Sequence, residues 1–358
     1  MFDTKIAHAP MPRQTHPIVI IGAGGIVRDA HLPAYRKAGF EVWSIFDPIP
    51  DRAVSLSAEY GIPTVSASLD DAVANAPLNA VFDIATPAGE FAEILAHLPD
   101  GCAVLMQKPM GEDRLQARRI LDLSRAKKLK AAVNFQLRYA PAVRAARQLI
   151  AEGAIGEVHD MEVRVTVYTP WHLWTFLESS PRVEILYHSV HYLDLLRSFL
   201  GDPAGVYAKT LKHPKMPKLA STRSNIILDY GDMIRANIET NHGHEYGLRH
   251  QEAYVKWEGT KGAIKTRLGL LMNYPKGVED QFDLCILEGA NPPEWKPIAI
   301  QGSWFPDAFI GSMAELMRFV EGSTSVLPHS VEDAYRTMAL VDAAYASSSL
   351  GGATIAYD

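Results

Sequence analysis

Lys108 has the clearest chemical potential in the sequence. It stands in a Lys-Pro pair one residue after the apolar run Ala103–Met106. An ammonium there can hydrogen-bond a hydroxyl and stabilise negative charge developing on its oxygen. The plainer reading is an exposed surface lysine, the usual fate of this residue type. His191 is the second candidate, because an imidazole with an unperturbed pKa of about 6.5 can exchange protons near neutrality. Tyr187 lies four residues earlier, and on a helix the two share a face. Its phenol would then either join proton transfer or only pack. His188 lies between them in sequence and points to another face. Asp194, three residues beyond His191, would orient that ring or only satisfy local polarity.

A second group of residues suits a ligand's phosphates. In IVIIGAGGIVRDAHLPAY (18–35) an apolar run ends in Gly22, Gly24 and Gly25, and a helical pattern opens at Ile26. Gly22 would permit a tight turn and Gly24 a close backbone approach, with the helix N-terminus offering unpaired N–H groups. Val27 stands where the dinucleotide fingerprint has a third small residue. Asp47 follows the second apolar run, 25 residues after Gly22. A carboxylate there can accept hydrogen bonds from ribose hydroxyls and repel a 2′-phosphate, which favours NAD over NADP. Arg52, close by, is the residue that would meet a 2′-phosphate. The alternative is a glycine turn followed by a solvated aspartate.

A third group gathers in YTPWHLWTFLESSPRVE, which supplies Tyr168, Trp171, His172, Trp174 and Arg182. Aromatic faces with interspersed polar groups suit a carbohydrate ring; the same residues equally suit core packing or a subunit contact. Arg138 would approach substrate or nicotinamide. Arg164, His242, His244, Arg249 and His250 would favour an anionic sugar if several converged.

The elements that must position these groups follow from periodicity. Strands are predicted at Ile18–Ile21, Glu41–Phe46, Ile62–Val65, Ala80–Ile84, Ala103–Met106 and Ala131–Val133. Helices are predicted near 26–38, 51–60, 69–75, 89–98 and 112–128. Such alternation implies a doubly wound parallel sheet of the Rossmann type, with its ligand at the carboxyl ends of the strands. The second half reads as strands at Val158–Val167, Gly205–Leu211, Ser224–Asp229, Met233–Thr240, Glu252–Trp257 and Phe282–Leu287. A hairpin turn is expected at Asp229–Asp232, and helices at 139–152, 188–200, 306–321 and 330–349. The predicted domains are 1–134 and 135–358.

Composition narrows the class. The chain has 358 residues, 47% apolar and 21% charged, with net charge −6. These values fit an enzyme-sized globular protein and argue against a nucleic-acid surface. Two cysteines, Cys102 and Cys285, suit neither a disulfide framework nor a thiolate zinc cage. No stretch reaches membrane-spanning length, and MFDTKIAHAPMPRQTHP has no apolar leader core. The expectation is a cytoplasmic protein with no membrane or nucleic-acid partner.

GAGGIVRDAHLPAY, FDPIPDRA, DIATPAGEF and MQKPMGED resemble successive signatures of the Gfo/Idh/MocA family (glucose–fructose oxidoreductase, inositol dehydrogenase and MocA). The resemblance continues through NFQLRYAPAVRAARQLIAEGAIGEV, HSVHYLDLLRSFLG, VKWEGTKGAIK and HSVEDAYRTMALVDAAYASS, spanning about residues 18–350. It implies an N-terminal Rossmann domain and a C-terminal α+β domain whose large, mostly antiparallel open sheet serves oligomerisation, as a homodimer or homotetramer. It implies a cofactor set of Gly22, Gly24, Gly25, Ile26, Asp47, Arg52, Thr86, Pro87, Gln107 and Lys108. The implied catalytic set is Lys108, His191 and Tyr187, and the substrate set Arg138, Tyr168, Trp171, His172, Trp174, Arg182 and His188, with no metal. The sequence departs from the family twice. Gln107 stands where the Glu-Lys-Pro motif has Glu, and Tyr187 where an Asp-x-x-x-His pair has Asp. The implied activity is NAD(P)-dependent oxidation of a sugar, sugar-acid or cyclitol alcohol. The alternatives are a glycosidase using transient oxidation, elimination, water addition and re-reduction, and a non-catalytic NAD-binding sensor.

Overall fold

The computed structural model of the protein describes residues 9–352. The start of the N-terminal segment read above as lacking a leader lies outside them. Contacts divide the chain into two compact units. One runs to Arg144 and takes in Gln301–Met338; the other comprises Ala145–Ile300 and resumes at Ala339.

In the first unit, near-continuous apolar runs form a six-stranded, all-parallel sheet. Its strands are β1 (Ile18–Ile21), β2 (Val42–Phe46), β3 (Thr64–Val65), β4 (Val81–Ile84), β5 (Ala103–Met106) and β6 (Lys130–Val133), in the order β3-β2-β1-β4-β5-β6. β1, β4 and β5 are buried along their whole length, as expected for parallel strands covered on both faces. The order reverses beside β1, so the ligand crevice of this fold lies at the carboxyl ends of β1 and β4. The helices are α1 (Leu32–Ala38), α2 (Pro50–Tyr60), α3 (Leu69–Ala74), α4 (Phe91–His97) and α5 (Arg114–Ala126). Ser68 and Asp113 cap α3 and α5 by accepting the N–H groups of Asp71 and Gln116. One irregularity bears on the site: a π-helical turn, Val27–His31, precedes α1.

The sequence places a single boundary near residue 134, whereas residues 135–144 and 301–338 group with the first unit. The physical reason is α8 (Asp307–Val320). Its Phe309, Met313, Leu316 and Met317 share one core with Ile18, Ile20, Tyr35 and Ile45. α6 (Pro141–Ala151) and α9 (Val331–Leu350) each contribute residues to both units.

The second unit is built on an eight-stranded sheet. Its strands are β7 (Val158–Thr166), β8 (Gly205–Leu211), β9 (Arg223–Asp229), β10 (Arg235–Asn241), β11 (Glu252–Gly259), β12 (Gly262–Arg267), β13 (Gln281–Ile286) and β14 (Trp295–Pro297). The order is β14-β13-β12-β11-β7-β10-β9-β8, and only the β7–β10 pair is parallel. Burial alternates along the central strands. Met161, Val163 and Val165 are fully buried while Glu162 and Arg164 reach the surface, the period of a sheet with one packed face. The expected turn after β9 is present: Gly231 has φ 77° and donates its N–H to Asp229 Oδ1 at 2.9 Å. α7 (Val190–Leu200) follows a second π-helical turn, Ile185–Ser189.

Candidate cofactor and catalytic site

The glycine loop is locked to two strand ends. Gly22 has φ 109°, and a Cβ there would stand 2.6 Å from the Ala85 carbonyl oxygen at the end of β4. Its N–H donates to the Phe46 carbonyl at 2.7 Å. Only glycine combines that conformation with that approach. Gly24 is the opposite case: a Cβ there would meet nothing within 4 Å, which leaves its backbone open to a ligand. The N–H groups of Gly24, Gly25 and Ile26 precede any intrahelical acceptor. Asp47 is buried and clamps the loop. Its Oδ2 accepts the Ala23 N–H at 2.7 Å and its Oδ1 the Ile49 N–H at 2.8 Å. Each oxygen keeps a lone pair for a ribose hydroxyl. Arg52 is exposed on the first turn of α2. These features fit NAD: an open backbone for the pyrophosphate, a helix start, and a carboxylate at the end of β2.

Thr86 and Pro87 follow β4, and Gln107 and Lys108 follow β5, at the same carboxyl end of the sheet. Lys108 is half-buried, and its protein surroundings draw its ammonium down to about 8 by desolvation. Its backbone N–H donates to Gln107 Oε1 at 2.9 Å. The Gln107 amide nitrogen lies 3.0 Å from His31 Nε2, and His31 Nδ1 lies 2.6 Å from Asp83 Oδ2. The Tyr35 hydroxyl donates to the same Asp83 oxygen at 2.8 Å. Burial, then the charge and hydrogen bond of Asp83, push the Tyr35 phenol well above its usual range. All four partners are buried. Asn134, at the end of β6, is buried with neither side-chain amide atom partnered in the protein. A ligand at the strand ends would give such an orphaned amide a partner. Arg138 donates to Asp333 Oδ2 at 2.5 Å and to the Pro328 carbonyl at 2.6 Å, so part of its guanidinium is committed within the first unit.

The second unit holds the remaining candidates. His191 is buried in the first turn of α7, and Asp194 one turn on is buried too. Tyr187 and His188 belong to the π-helical turn before it and are half-buried. Tyr187 packs edge-on to Phe176, with ring centroids 5.8 Å apart, and borders a small core of Trp171, Leu177, Val183 and Leu219. Trp171 is thus a packing residue, its ring 4.8 Å from His188 and 5.6 Å from His242. Trp174 is half-buried, 5.7 Å from the Tyr274 ring. Tyr168 and His172 are exposed. Arg182 donates to Asp342 at 2.6 Å and lies 4.9 Å over the Tyr345 ring.

Glu184 anchors this region. Burial alone would raise its carboxyl, but His242 together with the Ser224 and Ser189 hydroxyls holds it below its usual value. The nearest His242 nitrogen is 3.4 Å from Glu184 Oε1, and Ser189 donates to that oxygen at 2.7 Å. Arg164 is matched by Glu239 and Glu252. Of the cations expected to favour an anionic sugar, Arg164 and His242 thus already face carboxylates, while Arg249 and His250 are exposed.

Sequence reading overlooked His31, Tyr35, Asp83, Asn134 and Glu184. A signal for one was present: Asp83 interrupts the buried strand VFDI, and a carboxylate in such a strand requires a partner.

A parallel sheet of this order, with an open glycine loop and an acidic residue ending β2, defines a dinucleotide-binding protein of the Rossmann class. Residues 17–135 match the oxidoreductase family with an NAD-binding Rossmann fold, and residues 143–265 match the GFO/IDH/MocA C-terminal domain. The chain belongs to the Gfo/Idh/MocA family of oxidoreductases. It is 32% identical to the 1,5-anhydro-D-fructose reductase of Ensifer adhaerens over 186 residues, 51% of this chain and 56% of that protein. It thus spans about half the length of that relative. It is 24% identical over 341 residues to an inositol 2-dehydrogenase of Rhizobium meliloti, 92% of this chain and 95% of that one. A crystal structure of an oxidoreductase from Agrobacterium radiobacter, in complex with NAD+, L-tartaric acid and magnesium, has the same fold, with a TM-score of 0.76 at 20% identity. That match covers 94% of this chain and 97% of the other. Among the described residues no helix is long and apolar enough to cross a membrane.

Proposed function

We propose that this protein oxidises a secondary alcohol of a sugar, sugar acid or cyclitol and passes the hydride to NAD. The observation that carries the reading is Lys108, held at the carboxyl end of β5 in the same unit as an open glycine loop. Gly22, Gly24, Gly25 and Ile26 would hold the pyrophosphate, Asp47 the adenosine ribose, and Thr86, Pro87 and Gln107 would border the nicotinamide half. Bound NAD supplies the hydride acceptor. Lys108 would bind the substrate hydroxyl and stabilise the charge that grows on its oxygen as the C–H bond breaks. His191 is assigned the hydroxyl proton, with Tyr187 as its partner in place of the family's aspartate. Tyr168, His172, Trp174, His188, Arg138 and Arg182 are assigned to the substrate's remaining surface. The same reading makes the protein a cytoplasmic homo-oligomer.

The test is a panel of myo-inositol, D-glucose, methyl β-D-glucoside and D-gluconate with NAD, followed by nicotinamide absorbance. Steady NADH formation on at least one is expected, and Lys108→Ala should lower that turnover by about 10²-fold or more. Glycoside cleavage without NADH accumulation would replace this reading with the glycosidase. Tight NAD binding with neither activity would replace it with the sensor.

A further inference from the structure

We infer that Asp83, His31 and Gln107 form a positioning chain for Lys108, in which the neutral Gln107 amide and a single tautomer of His31 specify one another. The inference rests on the reading of Lys108 as the group that handles the substrate hydroxyl.

The direction of every bond follows from its fixed members. The Lys108 backbone N–H can only donate, so the Gln107 atom 2.9 Å from it must be the carbonyl oxygen. The amide nitrogen then faces His31 Nε2 at 3.0 Å. That nitrogen can only donate, so Nε2 must be bare and the ring proton must sit on Nδ1. Nδ1 lies 2.6 Å from Asp83 Oδ2, which also accepts from Tyr35. The chain therefore has one consistent pattern: Asp83 accepts from His31, His31 accepts from Gln107, and Gln107 accepts from Lys108.

The surroundings hold this pattern in place. His31 is fully buried. It is faced by Tyr35 from α1, Asp83 from β4, Gln107 from β5 and the Phe309 ring from α8, whose centroid is 4.9 Å away. His31 also ends the π-helical turn that begins three residues after Gly24. One short segment thus runs from the glycine loop to the side chain that fixes the Lys108 backbone. A glutamate at position 107, the residue of the family's motif, could only accept. It would face a bare Nε2 with a second acceptor unless His31 took up another proton. With an ionised glutamate at position 107, the same arrangement would call for a second proton on the His31 ring.

The experiment is ¹⁵N NMR of the histidine rings in the full-length protein at neutral pH, with His31 assigned by its loss in His31→Gln. The native ring should show a protonated Nδ1 and a bare Nε2; in Gln107→Glu both nitrogens should be protonated. Activity on the four probes adds the second readout. Gln107→Ala should lower kcat about tenfold or more, as for a slightly misplaced reacting group. KM should stay within about threefold, and Gln107→Glu should recover most of the kcat. A native His31 protonated on Nε2 overturns the assignment. So does a Gln107→Ala variant with native kcat while Lys108→Ala is inactive. A native protein that oxidises none of the probes, or an active Lys108→Ala, fails the functional reading instead, and the ring assignment is then decided by the resonances alone.

Discussion

Lys108 and Asp47 each serve two purposes, which separate under substitution. Burial lowers the Lys108 ammonium to about 8, below its value of about 10.4 in an unfolded chain. The folded state therefore binds fewer protons between those values. Stability contributed by this group is lowest below pH 8 and rises as pH climbs from about 8 to 10. Lys108→Met should raise the melting temperature at pH 7 and lose that advantage by pH 10, as scanning calorimetry would show. For catalysis the same shift removes the charge-stabilising ammonium above about pH 8, so alcohol oxidation should fall through about pH 8. Lys108→Arg should remove that limb, because a guanidinium stays charged. An unaltered profile in the arginine variant would show that titration of Lys108 does not set that limb. Asp47 holds Ala23 and Ile49 as well as facing the ribose. Asp47→Ala would loosen the loop for either cofactor, so Asp47→Asn is the cleaner probe. It should weaken NAD about tenfold, a scale set by loss of a charged hydrogen bond, and leave NADP unchanged or tighter. Equal losses measured by titration would remove the carboxylate from cofactor choice. At this scale the sequence showed the reactive types and missed their supports. His31, Tyr35 and Asp83 lie 4 to 52 residues apart, and only folding brings them together.

The glycine loop makes the same distinction at the level of an element. Gly22 is required by the fold and Gly24 by the ligand. Gly22→Ala combines an unfavourable φ with a Cβ 2.6 Å from the Ala85 carbonyl oxygen. A cost of about 2–3 kcal/mol is expected, lowering the melting temperature by about 5–10 °C for a unit of this size. Gly24→Ala meets open space and should melt like the native protein, while NAD affinity falls. Paired thermal melts and cofactor titrations would check both; a destabilised Gly24→Ala would contradict the open backbone. β1 and β5 were legible to the residue because apolar runs at the centre of a parallel sheet have sharp ends. β12 and β14 were not. Two of the three buried positions of β12 are Gly262 and Thr266, so the apolar alternation is faint. β14 is a three-residue edge, exposed throughout, and contains a proline. The π-helical turn at Val27–His31 was read as ordinary helix, since a one-residue widening leaves almost no trace in hydrophobic spacing, and most of the one at Ile185–Ser189 fell outside the helix predicted from 188.

For the whole chain, the Rossmann sheet and most strands of the second unit were evident from periodicity, the antiparallel arrangement of those strands came from the family resemblance, and the return of 301–338 to the first unit was not evident. An amphipathic helix such as α8 shows which of its faces is buried but not which sheet covers it. The second unit's sheet bears on assembly. Its edges are closed to strand pairing: the Ala208 and Thr210 N–H groups of β8 donate to the Ser347 and Ser348 hydroxyls of α9, and β14 is short. Association through added strands is therefore disfavoured. The outward face is different. Arg235 bridges Asp160 and Glu162, Arg164 bridges Glu239 and Glu252, and beside these pairs the cross-strand neighbours Tyr207 and Ile227 are 65% and 55% exposed. Two apolar side chains paired on an ion-bridged sheet face suit burial against a second copy of the same face. The expected particle in sedimentation at micromolar concentration is a multiple of the chain mass. Ile227→Asp, which puts a carboxylate into that contact while touching no cofactor residue, should shift it toward monomer with NAD affinity unchanged. A native protein that sediments as a monomer, or an Ile227→Asp variant that stays assembled, would exclude this face as the subunit contact.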